Sequence, residues 1–214
     1  RLIREYLKEY EPDTKTLERV FQLNSRYDAQ VNGEEAGLRG INWSLKKMKW
    51  GNLFNYGEGN SVNFEKLNGV VGVFGKNFSG KSSVIDSMLY TVYNSISKNN
   101  RKNLNIINQN KESGYGHVEI DIDGKTYIIE RKSEKYKKKL HGEETDEAKT
   151  DVEFTFIDPA TGEETSLNSL DRNGTDKEIR KIFGSIDDFL LTSMSSQMGA
   201  MTFINEGSTR RKEI

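Results

Sequence analysis

Residues Gly75-Lys76-Asn77-Phe78-Ser79-Gly80-Lys81-Ser82 decide the fold. They satisfy G-x-x-x-x-G-K-[ST] at every fixed position, a pattern whose glycines let the backbone curl so that successive N–H groups face an anion. A chance match in a chain of this length is about one in a hundred at average residue usage. The flanks supply the context that the pattern needs. Before it, Val70-Val71-Gly72-Val73-Phe74 is a continuous apolar run and predicts a strand buried on both faces. After it, Val84, Ile85, Met88, Leu89, Val92, Tyr93 and Ile96 recur at helical spacing and predict one wide apolar stripe. Strand, glycine-rich loop and helix together predict a phosphate site. The helix N-terminus faces the anion, Lys81 reaches the β- and γ-phosphates of a nucleotide, and Ser82 offers its hydroxyl to Mg²⁺.

Outward from the loop, Leu45, Met48, Trp50, Leu53 and Phe54 begin a strand-like stretch, Tyr56 to Asn60 turns, and Ser61 to Phe64 returns. Ser97 to Ser113 is rich in Asn and Lys and reads as loop. His117 to Asp123 alternates, Asp123-Gly124 turns, and Tyr127 to Arg131 alternates again, a second hairpin. Lys132-Ser133-Glu134-Lys135-Tyr136-Lys137-Lys138-Lys139 carries five Lys against one Glu, and an acidic loop, Glu143-Glu144-Thr145-Asp146-Glu147, follows with four acids. Such a tract is either a solvated hairpin end with opposed charges or a contact for the DNA phosphate backbone, made by Lys132, Lys135, Lys137, Lys138 and Lys139. Val152 to Ile157 is another strand, closed by a turn at Asp158 to Gly162, and Thr175 to Phe183 reads as a helix with Thr175 as N-cap and Glu178 closing a capping box. His117 and His141 are expected to be isolated and solvated.

Composition bounds the rest. The chain has 214 residues, 34% hydrophobic and 30% charged, with 32 Lys and Arg against 33 Asp and Glu. That near-balance excludes a bulk polycation but not a local basic patch. The absence of Cys excludes disulfides, thiolate zinc sites and iron–sulfur clusters. With no apolar run of about 20 residues, no membrane span is expected and an intracellular, cytoplasmic setting is. Residues 1–31 carry helical periodicity through Leu17, Val20, Phe21, Tyr27 and Val31, with Asp13 able to cap, and 32–40 read as a linker. This helix either packs on the rest, ends a preceding domain or docks a partner. The chain begins with Arg and is expected to be a piece of something longer.

Leu53-Phe54-Asn55-Tyr56, Val62-Asn63-Phe64 and the phosphate loop with its doubled Ser82-Ser83 resemble the start of an SMC-like ATPase head. Within that group the likeness is to SbcC-type repair ATPases, phage recombination relatives included. The helix continues as Ile85-Asp86-Ser87-Met88-Leu89-Tyr90, and the Asp-Gly hairpin trails the basic residue Arg131. Asp188-Phe189 leads through Ser195-Ser196-Gln197 to Phe203-Ile204-Asn205 and Ser208-Thr209-Arg210-Arg211-Lys212, which looks like a Q-loop and the entry to a coiled coil. The sequence departs from the family in having Asn55 after Phe54, where relatives carry a basic residue, and Met198-Gly199 after Gln197.

The resemblance implies an α/β P-loop NTPase fold, the N-terminal lobe of an ABC/SMC-type head, with a mixed central sheet and an antiparallel hairpin sheet. It implies a helical extension and linker at 1–40 and an ATPase lobe at 41–214. ATP and Mg²⁺ would be held by Gly75, Lys76, Asn77, Phe78, Ser79, Gly80, Lys81, Ser82 and Ser83. Lys81 and Gln197 would serve catalysis, with Ser82 and Gln197 at the metal. The implied partners are a C-terminal lobe bearing the signature motif and catalytic glutamate, a second head, duplex DNA and an SbcD-type nuclease, in a bacterial or phage-encoded protein. An SMC-like chromosome-organising or phage-defence ATPase without a nuclease shares this lobe. A P-loop phosphotransferase for a small molecule fits the hairpins less well.

Overall fold

A computed structural model describes Tyr10 and residues 14–32, 43–97, 103–140 and 143–194. The chain divides into two compact units, residues 1–40 and 41–214. In the first, helix α1 (Thr14–Asn32) is present, with Leu17, Val20 and Phe21 half-buried; Asp13, the expected cap, lies outside the described residues.

The second unit is built on one six-stranded antiparallel sheet in the order β2-β1-β3-β4-β5-β6. Its strands are β1 (Trp43–Gly51), β2 (Asn60–Asn63), β3 (Ser113–Ile122), β4 (Lys125–Leu140), β5 (Glu143–Ile157) and β6 (Glu164–Ser166). Alternation sets the faces. Val118, Ile120 and Ile122 of β3, Ile129 of β4 and Phe154 of β5 point inward and are buried. Three helices accompany the sheet: α2 (Lys81–Tyr93), α3 (Arg172–Phe183) and α4 (Ile186–Thr192). Leu89 and Val92 of α2 and Ile179 and Phe183 of α3 complete the core. Helix α2 lies unusually close to β3, because a Cβ on Gly116 would sit 1.9 Å from the Thr91 hydroxyl oxygen. Asp86 through Tyr93 are all buried, so α2 is enclosed for most of its length. No helix among the described residues is long and apolar enough to cross a membrane.

Several expectations are corrected. Val70 to Phe74 belongs to no strand; Val70 and Phe74 are fully exposed, and Val71 and Val73 are more than half exposed. A strand buried on both faces needs neighbours on each edge and a layer on each face, and the described residues supply neither, so the sheet that forms is the antiparallel one alone. The acidic stretch after the Lys tract is not a loop but the start of β5, laddered against the Lys tract from Leu140↔Glu143 to Lys135↔Ala148. Helix α3 starts at Arg172 and is capped by Asp171, whose carboxylate accepts from the Gly174 amide at 2.6 Å. Thr175 is not the cap but a buried first-turn residue donating to the Asp171 carbonyl at 3.1 Å. A capping box does occur, at Ser185 and Asp188 of α4. Ile106 and Ile107, inside the segment read as polar loop, are buried, and Leu53 bridges to Ile107.

Candidate functional site

The phosphate loop runs from Gly75 to α2. Gly80 is the N-cap of α2 at φ 93°, ψ 15°, a left-handed conformation that a Cβ makes costly. A Cβ there would also lie 3.3 Å from the Tyr56 ring. The Ser79 amide donates to the Lys76 carbonyl at 3.2 Å, and the Ser83 amide to the Gly80 carbonyl at 3.0 Å, which closes the first turn of α2. Lys81 folds its ammonium back over the loop and donates to the carbonyls of Gly75 and Lys76, both at 2.7 Å. Ser82 is exposed at the same helix end. The first amides of a helix have no intrahelical acceptor, and the macrodipole makes that end positive. The Lys81 ammonium and the Ser82 hydroxyl therefore stand at the positive end of α2, beside the loop.

These residues fit a magnesium nucleotide. The left-handed Gly80, the lysine poised over the loop and the serine one residue on are the donor set that a chelated polyphosphate requires. Gln197 lies outside the described residues, as do Ser195, Ser196 and everything after them.

The far end of α2 is also held by charge. Arg131 of β4 has a fully buried side chain. Its Nε donates to the Thr91 carbonyl at 2.9 Å and its Nη2 to the Val92 carbonyl at 3.4 Å. Nη2 also pairs with Asp176 of α3 at 2.6 Å. A guanidinium at a helix C-terminus complements the negative end of the dipole. Beside it runs a chain of polar side chains. The Tyr90 hydroxyl meets Ser133 Oγ at 2.6 Å, Ser133 meets Thr150 Oγ1 at 2.6 Å, and Asn103 Nδ2 donates to Thr150 at 2.6 Å and to Asn94 at 3.0 Å. Burial pushes the Tyr90 hydroxyl up to about 12, so it stays protonated and available as a donor.

The Lys tract is not a free cationic surface. Lys137 and Lys139 pair with Glu144 at 3.7 and 3.4 Å, Lys138 with Glu147 at 3.5 Å, and Lys132 with Glu134 at 2.5 Å. Lys135 donates instead to the carbonyls of Asn108 and Gln109 at 3.3 and 3.2 Å. His117 is not isolated either. Its Nδ1 lies 2.6 Å from Glu130 and its Nε2 3.5 Å from Glu119, whose carboxylate also takes Lys47 at 3.0 Å. His141 lies outside the described residues.

Two residues at the site were not marked by the motif. Asn55 Nδ2 donates to the Phe78 carbonyl at 3.1 Å, and the Tyr56 hydroxyl to the Gly80 carbonyl at 3.0 Å. No local signal marks them: the polar segment nearer the loop in sequence is Glu65 to Gly69, and the contacts of Asn55 and Tyr56 appear only once the chain is folded.

Among known proteins, residues 47–212 match the AAA_23 family, described as an AAA domain. The chain is 28% identical over 226 residues to uncharacterized protein R555 of Acanthamoeba polyphaga mimivirus, covering 99% of this chain and 16% of that protein. It is 29% identical over 160 residues to the SbcC component of the SbcCD nuclease of Clostridium acetobutylicum, covering 72% and 13%. It is 31% identical over 87 residues to the DNA double-strand break repair Rad50 ATPase of Sulfolobus acidocaldarius, covering 41% and 10%. The chain thus spans between 10% and 16% of the length of these relatives.

Proposed function

This chain belongs to the AAA_23 family, and from that premise we propose that it is the N-terminal lobe of an SMC-like P-loop ATPase head and binds Mg²⁺–ATP in a DNA repair or recombination machine. The observation that carries the reading is the loop Gly75–Ser83 at the N-terminus of an enclosed helix, with Gly80 left-handed and Lys81 folded over it. Gly75, Lys76, Asn77, Phe78, Ser79 and Gly80 would wrap the phosphates. Lys81 would neutralise the terminal phosphates, and Ser82 and Gln197 would hold the metal. Ser83 continues the first helical turn. The bound magnesium nucleotide supplies a transferable phosphoryl group whose charge these donors stabilise.

The lobe is half of the proposed head. The exposed run Val70 to Phe74 supports a C-terminal lobe that adds strands beside it, because five consecutive apolar or glycine residues at a surface ask for a cover. That lobe would bring the signature motif and the base that activates water. ATP would draw two heads together, duplex DNA would bind across them, and an SbcD-type nuclease would respond.

The test uses the full-length protein with its C-terminal continuation. Lys81→Ala should remove binding of a fluorescent ATP analogue while the circular dichroism spectrum is kept. Turnover should appear only with both lobes joined and should rise with duplex DNA. Unchanged ATP affinity in folded Lys81→Ala overturns the site. Turnover by residues 1–214 alone, or phosphorylation of a small acceptor, overturns the half-head reading. A full head that turns over ATP but shows no nuclease activity with its neighbouring gene products overturns the nuclease partner.

A further inference from the structure

The turn between β1 and β2 reaches the phosphate loop at two points, and both acceptors lie at residues in the left-handed region. Asn55 holds the carbonyl of Phe78, which has φ 62°, and Tyr56 holds the carbonyl of Gly80, which has φ 93°. For glycine that conformation is free of strain; for a phenylalanine it is strained and persists only where surroundings impose it. The Phe78 ring imposes nothing, since the residue is 96% exposed. The contact that grips it is Asn55 on its carbonyl.

The turn is itself well grounded. The Tyr56 ring packs edge-on against Trp50 at 5.3 Å, and its carbonyl accepts from Asn108 Nδ2 at 3.1 Å. The Phe54 amide donates to the Ile106 carbonyl at 2.8 Å, and the Asn108 amide to the Asn52 carbonyl at 2.9 Å. Burial raises the Tyr56 hydroxyl above its ordinary value, so it remains a donor at neutral pH. Two donors thus extend from a fixed base to two carbonyls of the loop.

A trans peptide carries its C=O and N–H on opposite sides. Fixing the Gly80 carbonyl on Tyr56 therefore aims the Lys81 amide away from the turn, and fixing the Phe78 carbonyl on Asn55 sets the Ser79 amide. The Lys81 amide is one that a phosphate would meet; the Ser79 amide donates to the Lys76 carbonyl at 3.2 Å and so fixes the curl of the loop. We infer that Asn55 and Tyr56 are positioning residues for phosphate recognition: they orient the loop's amides without touching the ligand. The inference rests on reading Gly75–Ser83 as the phosphate loop.

The experiment measures the affinity of the full-length protein for a fluorescent ATP analogue with Mg²⁺, and thermal unfolding without and with ATP. Asn55→Ala and Tyr56→Phe should each weaken ATP binding by about 3–10-fold, the worth of one hydrogen bond. The midpoint without ATP should stay near wild type for Asn55→Ala while the ATP-induced rise shrinks. In a Phe78→Gly background, where no strain needs holding, the Asn55→Ala loss should fall to about 2-fold or less. Wild-type affinity in both variants, with Lys81→Ala still abolishing binding, overturns the positioning role alone. Wild-type affinity in Lys81→Ala as well overturns the phosphate-loop reading beneath it. An undiminished Asn55→Ala loss in Phe78→Gly overturns the account of Asn55 as the hold on a strained residue.

Discussion

Arg131 shows what one buried charge does here. Its guanidinium serves two backbone carbonyls of α2 and one carboxylate of α3, while Nη1 is buried without a partner among the described residues. Removing one member of such a pair strands the other, which costs about 3–5 kcal/mol; replacing both is far milder, because the desolvation cost goes with them. Arg131→Met should therefore lower stability by about that amount in urea unfolding, and Arg131→Met with Asp176→Leu should recover most of it. The burial was legible in part. Tyr127, Ile129 and Arg131 share one parity in the alternating stretch, so the arginine had to face the core; its carboxylate partner, 45 residues on, had no local signal. His117 shows the same limit. Counting back from the Asp123-Gly124 turn pairs it with Glu130, and alternation puts Glu119 on the same face two residues on, whereas the lysine that Glu119 takes, Lys47, needed β1 docked on β3. Around it the carboxylates are tuned. Burial would raise Glu119, but Lys47 and His117 outweigh it and hold the group below its usual range; Lys46, then the Gly124 amide, do the same for Asp121. Lowered carboxylates stabilise the fold above the ordinary range and lose that contribution as pH falls through their folded values. Lys47→Met should raise the Glu119 titration midpoint in a carboxyl-resolved NMR titration.

At the scale of elements, two features decide the packing. The first is the close seat of α2 on β3. Gly116→Ala would place a methyl 1.9 Å from Thr91 Oγ1 and 3.1 Å from its Cβ, so helix or strand must shift. A loss of about 1–3 kcal/mol is expected by thermal unfolding, partly restored by Thr91→Ala. The second is the long hairpin β4–β5. Its outer half has no apolar alternation, so the sequence offered two charged tracts where the structure has two paired strands. Opposite charges directly across a ladder stabilise it, and the cue was a Lys run followed, across two residues after Leu140, by an acidic run. Pairing also lowers the hairpin's net potential. If the lysines touch DNA, Glu144→Gln with Glu147→Gln should tighten duplex binding and steepen its salt dependence. Neutralising Lys135, Lys137, Lys138 and Lys139 should weaken binding and flatten that dependence. A hairpin that only solvates itself leaves both slopes unchanged.

For the whole molecule, the informative mismatch is Val70 to Phe74. Composition identified a strand for a fully covered sheet, and a sheet is not a property of one strand. Its neighbours must come from elsewhere in sequence, which no local pattern can report. The phosphate loop was legible for the opposite reason: its chemistry is contiguous, and eight residues contain nearly all of its donors. Amides of Val70 to Phe74 should exchange with deuterium rapidly in residues 1–214 and become protected once the proposed C-terminal lobe is joined to them. Equal exchange in both would remove the case for added strands at this edge. Helix α2 then acquires a role that neither of its ends states alone. It spans about 20 Å at 1.5 Å per residue, fastened by Tyr56 at one end and Arg131 at the other. A strut pinned at both ends and enclosed along its side cannot absorb a small displacement by bending. A displacement of the loop would therefore be passed along α2 to Arg131 and, through its bond to Asp176, to α3.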